Sequence, residues 1–172
     1  MVRVLMIGIV MLCLAGCVEM QSIVPQRLEE AYIQATRKTE LVADERVQVV
    51  LIATHLNAFE PKTYPHEQGE VFFIDVYQSA QNAKRFFEND YHLTLNSGDT
   101  PVRITPLKKD ELQGFLRENA SAWGEYYKVE FLPQDLRVRN SLQLILTHKE
   151  YGENFLNFGF KPLSKESLKE KR

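Results

Sequence analysis

Short runs of alternating residues, broken by turn-formers, fill most of this chain and set the fold it can adopt. Arg46 to Asn57 is rich in β-branched residues, and Val47, Val49, Leu51 and Ala53 share one face at a period of two. Glu70 to Ser79 is a second such run, and Tyr91 to Asn96 a third. Pro101 to Leu107 is a fourth, and its prolines place it at a sheet edge. Ala122 to Leu132, Ser141 to Lys149 and Phe155 to Lys161 follow. Pro61, Pro65 and Gly69, then Ser97-Gly98-Asp99, then Tyr151 to Asn154 supply the turns between them. Six or seven strands without long intervening helices predict a mainly β chain, an antiparallel β-sandwich.

Two segments break the pattern. Pro25 suits the first turn of a helix, and Leu28, Tyr32 and Ala35 recur at helical spacing. This predicts a helix over about 25–35 within an N-terminal segment 25–40. Lys108 to Asn119 carries Leu112, Phe115 and Leu116 at the same spacing and predicts a helical connection. The sandwich then spans 41–163, and a charged, frayed tail spans 164–172. In strand count and order of turns this pattern resembles immunoglobulin-like sandwiches, without the cysteine pair of true immunoglobulin domains.

The first seventeen residues are of another kind. Arg3 is the only charge before Glu19, and Val4 to Val18 is uncharged. A positive start, an apolar stretch and small residues make a secretory signal. The stretch is shorter than the roughly 20 apolar residues that cross a bilayer. Leu14-Ala15-Gly16-Cys17 resembles the bacterial lipobox. The resemblance implies cleavage between Gly16 and Cys17, with residues 1–16 removed and Cys17 carrying lipid. Residues 17–24 then form a lipidated tether. Val18, where inner-membrane lipoproteins of enterobacteria have Asp, implies the outer membrane, with the periplasmic face favoured over the cell surface.

Charge and cysteine content narrow the partners. The chain has 21 basic and 23 acidic residues, net −2, and loss of Arg3 makes it slightly more acidic. Nucleic acid, which needs a basic footprint, is not an expected partner. Attachment to a membrane falls to acyl chains, since two or more hold stably where one is marginal. Of the two cysteines, Cys13 leaves with the signal and Cys17 is used by the lipid. Thiolate catalysis, thiolate metal sites and disulfides go with them.

Chemistry-bearing motifs are sparse. His55, His66, His92 and His148 are scattered, with no His-x-x-x-His pair. Converging in space they would make a metal site, while separately they read as polar surface residues. No Gly-x-Ser-x-Gly elbow and no glycine-rich phosphate loop is present. Asp75 interrupts an apolar strand on the face of Val71, Phe73 and Tyr77, either as a perturbed acid or as a hydrogen-bonded structural carboxylate. Trp123, Tyr126 and Tyr127 form a candidate interaction surface, with Trp123 and Tyr127 on one strand face and Tyr126 on the other. No catalytic residue and no cofactor or metal is expected. The expected function is an outer-membrane lipoprotein docking onto an envelope protein assembly of the secretion, pilus or flagellar type. The alternatives are a binding module for a small ligand, glycan or metal, and then a hydrolase.

Cys17→Ser removes the acylated thiol. Membrane fractionation should find this variant soluble or unprocessed. A processed variant retained in the membrane would refute the lipidation.

Overall fold

A computed structural model describes residues 27–79 and 84–159. The signal segment, Gly16 and Cys17, the tether, Pro25 and the charged tail lie outside the described residues. So does Lys161, the expected end of the last strand. Contacts divide the chain into Met1–Glu30 and Ala31–Arg172. Of the first unit only Arg27–Glu30, the opening of helix α1 (Arg27–Ala35), is described.

The second unit is an antiparallel β-sandwich. Its larger sheet has the order β1 (Thr36–Ala43), β2 (Arg46–His55), β3 (Glu70–Gln78), β6 (Glu125–Phe131), β5 (Arg103–Leu107). Its smaller sheet has the order β4 (Tyr91–Leu95), β7 (Gln143–His148), β8 (Gly152–Asn157). Short helices α2 (Leu56–Phe59), α3 (Gly114–Asn119) and α4 (Leu136–Asn140) lie in the connections.

Inward residues of both sheets make one core. Val49, Leu51 and Ala53 of β2, Phe72, Ile74 and Val76 of β3, and Val129 and Phe131 of β6 meet Leu93, Leu95, Leu144, Leu146 and Leu156. Each large buried side chain stabilises by about 1.5–3 kcal/mol. A second apolar cluster lies on the other face of the larger sheet. Val71, Phe73 and Tyr126 pack there with Leu56, Phe59, Leu112 and Ala120. Tyr32 meets the edges of Phe59 and Phe115 at 5.6 and 5.0 Å. Strand β3 is therefore buried on both faces from Glu70 to Val76.

The N-terminal segment 25–40 is not wholly helical. The chain passes from α1 straight into β1 at Thr36. Thr39 and Leu41 turn inward there, while Lys38 and Val42 stay exposed, so a charged edge strand hides its period. Arg37 fixes this junction. Its Nη1 donates to the carbonyl oxygens of Gln34 and Thr36, each at 2.7 Å, and its Nε to that of Asn157 at 2.9 Å. One guanidinium thus caps the helix and joins β1 to β8. Asp44 and Glu45 close the β1–β2 hairpin with φ of 51° and 59°, as a two-residue turn with matching twist requires.

Two further boundaries differ from expectation. The last strand starts at Gly152, because the turn falls at Lys149 to Tyr151. The Lys108–Asn119 connection is a 3-10 turn, Lys109–Glu111, followed by α3.

Tyr91 is 1% exposed, and its hydroxyl has no hydrogen-bond partner among the described residues. Burial, with Tyr151 adding to it, pushes this phenol from 10.0 up to about 12. Burial, then a hydrogen bond to Glu125, also raises Tyr127. Both phenols resist ionisation when folded. Their contribution is whole below pH 10 and is lost as pH rises toward 12. Urea unfolding should show this alkaline decline, and Tyr91→Phe should lessen it, leaving the part due to Tyr127. At pH 7 the same variant should keep or gain up to about 1 kcal/mol.

Candidate metal centre

The β2–β3 register brings two polar residues to one end of the sandwich interior. His55 is the last residue of β2 and pairs with Phe72. Glu70 is the first residue of β3, two positions before Phe72, so its side chain shares that face. The inward series Val49, Leu51, Ala53 ends in His55, and the series Val76, Ile74, Phe72 ends in Glu70. The His55 ring stacks on Phe72 with centroids 4.9 Å apart and takes the edge of Phe158 at 5.7 Å.

The loop between β2 and β3 adds a third residue. Pro65 leads into a 3-10 turn, His66–Gln68, which places His66 four residues before Glu70. Buried Asn57 holds this loop. Its Nδ2 donates to the carbonyls of Gly69 at 2.7 Å and Tyr64 at 3.0 Å. Its Oδ1 accepts from the Val71 N–H at 2.7 Å. Gly69 has φ of 135°, and a Cβ there would stand 2.3 Å from the Phe131 carbonyl oxygen. Only glycine fits that approach.

His55 Nε2 lies 2.7 Å from Glu70 Oε2, and His66 Nδ1 lies 2.9 and 3.1 Å from the two Glu70 oxygens. One ligand atom from each residue falls within 4.8 Å of the others. Side-chain exposure rises from 0% at Glu70 through 7% at His55 to 32% at His66. The two imidazoles are the only hydrogen-bonding partners of the Glu70 side chain among the described residues. A buried carboxylate needs positive charge or donated protons beside it. Protonated ring nitrogens supply that, and so does a cation in their place. Tetrahedral zinc with bonds of about 2.0–2.1 Å spaces its ligand atoms by about 3.3 Å. The contacts to Glu70, at 2.7 and 2.9 Å, are shorter than that value, so side-chain shifts of a few tenths of an ångström would have to open them to admit an ion.

Both histidines border a cavity of about 220 Å³, along with Gln34, Ala35, Ala58, Leu136, Arg139, Asn140, Leu142 and Phe158. Glu70 sits behind them and does not line it.

The other candidates lie apart. His92 is exposed on β4. His148 stacks on Tyr151 at 4.0 Å, and its Nδ1 accepts from the N–H groups of Glu150 and Tyr151. Asp75 faces away from the histidines. It accepts from the N–H and Oγ of Ser121 at 2.8 and 3.0 Å. Beside it, a Cβ on Gly124 would stand 1.9 Å from Asp75 Oδ1. Asp75 therefore pins the Ser121–Gly124 loop as a structural carboxylate. Of the three aromatic candidates, Tyr126 and Tyr127 are core residues at 6% and 5% exposure, and Trp123 alone is exposed, at 84%. The loop places Trp123 before β6 begins at Glu125, so strand alternation does not reach it.

Sequence spacing hides the triad, because a strand, a turn and a second strand each give one residue. Glu70 was the available signal, a charge at an inward position followed by Phe72, Ile74 and Val76.

Comparison with known proteins finds no match: no family model, no curated protein and no solved structure aligns with the chain.

Proposed function

We propose that this protein is a divalent-metal-binding module of the bacterial envelope, held at the outer membrane by lipid on Cys17. One observation carries the metal reading. Glu70 is fully buried, and among the described residues its carboxylate oxygens meet only the ring nitrogens of His55 and His66. Two imidazoles and a carboxylate form a nitrogen–oxygen set suited to zinc and its neighbours. His66 gives an entry route from solvent. Among the described residues, the cavity beside the site is lined by no carboxylate or hydroxyl side chain. The lipid anchor rests on Leu14-Ala15-Gly16-Cys17. Among the described residues no helix is long and apolar enough to cross a membrane.

Calorimetric titration of the detergent-solubilised mature protein with Zn²⁺ should give one bound equivalent. His66→Ala and Glu70→Gln should each weaken it at least about 100-fold, the upper end of what a merely orienting neighbour costs. Zinc at 100 times its Kd should stabilise the fold by about 2.7 kcal/mol. Zero stoichiometry, or unchanged affinity in His66→Ala, refutes the reading.

A second observation favours docking onto an envelope protein assembly. Trp123 stands exposed on a loop that Asp75 holds through Ser121. A large aromatic presented rigidly loses little entropy on binding. A photo-cross-linker at position 123 should capture one envelope protein in whole cells. Recovery of monomer alone, with Trp123→Ala fractionating as wild type, would sink the docking role.

A further inference from the structure

The cavity in front of the histidines has its own charge pattern. Arg139, near the end of α4, lines it with Asn140 and Gln34. Arg139 Nε is buried and has no hydrogen-bond partner among the described residues. Among the described residues no carboxylate lies within ion-pair distance of Arg139, and none lines the cavity. A buried guanidinium nitrogen without an acceptor is a deficit that a bound anion removes. Three protein ligands also leave a tetrahedral ion one open position. His55 and His66 border the same cavity as Arg139.

We propose that this cavity binds a small oxyanion, carboxylate or phosphate, bridging the metal and the Arg139 guanidinium. The inference rests on the metal reading and gives that site its ligand class. A divalent ion with one carboxylate and two neutral imidazoles keeps a net charge of +1. Arg139 adds a second positive charge with forked donors matched to paired oxygens. One ligand oxygen occupies the open metal position. A second accepts from Arg139, and the Asn140 and Gln34 amides complete the polar rim. At about 220 Å³ the cavity holds a few non-hydrogen groups, since one water in the liquid takes about 30 Å³. Leu142 and Phe158 give the inner wall an apolar surface.

The test uses the full mature protein in detergent, loaded with Co²⁺, whose visible d–d absorption reports its coordination. Inorganic phosphate and acetate are titrated separately. Each anion that binds should shift the absorption saturably, and the arm that responds identifies phosphate or carboxylate as the source. Arg139→Gln should keep wild-type Co²⁺ affinity and weaken anion binding at least about tenfold. Asn140→Asp, at an exposed position, puts a negative charge at the rim and should weaken it as well. If Co²⁺ binds but neither anion moves the spectrum, the oxyanion inference is overturned and the metal reading stands. Equal anion response in wild type and both variants also overturns it. If wild type binds no Co²⁺, both readings fall together.

Discussion

Strand β3 is buried on both faces, and the rest of the domain is arranged around that constraint. A strand covered on one side alternates, whereas one covered on both needs apolar residues throughout. Val71, Phe73 and the ring of Tyr126 serve the helix-covered face, while Phe72, Ile74 and Val76 serve the space between the sheets. β2 and β6 pair along its two sides and satisfy its backbone. Its two acids therefore stand where charge is hardest to hold. Asp75 meets that difficulty with Ser121, and Glu70 meets it with two histidines.

Those two solutions differ in kind. Asp75 accepts hydrogen bonds from neutral groups of a neighbouring loop, so its charge is spread over fixed dipoles. Its effect is conformational, and it extends to the exposure of Trp123 two residues beyond Ser121. Among the described residues, Glu70 meets the ring nitrogens of two imidazoles, which on the proposed reading share a cation with it. The same residue class on the same strand thus yields a structural clamp on one face and a histidine–carboxylate cluster on the other.

The architecture was largely legible in the sequence. Alternation at Val47 to Ala53 and Leu142 to Leu146, with turns at Ser97-Gly98 and near Gly152, was enough for an antiparallel sandwich. β1 was missed because Lys38, Glu40 and Thr39 mask a short edge strand that continues directly from a helix. The site was much less legible. Its members are 11 and 4 residues apart in sequence, at no motif spacing, and depend on the β2–β3 register and on the Asn57-held loop. His66 reads in the sequence as one of four scattered histidines, and its partner is Glu70, four residues on. Trp123 was placed on a strand by its neighbours' alternation, and only the Asp75–Ser121 contact lifts it out.

The clamp made by Asn57 has a kinetic meaning. Its amide ties both ends of the loop that carries His66, and Gly69 lets the backbone pass against Phe131. The loop is therefore shaped when the domain folds, before any guest arrives. On the proposed metal reading, a cation entering past His66 would meet ligands whose freedom has already been lost, so its capture would require side-chain adjustment and no refolding. On that reading the site would fill by side-chain motion alone, while the sandwich around it stays intact.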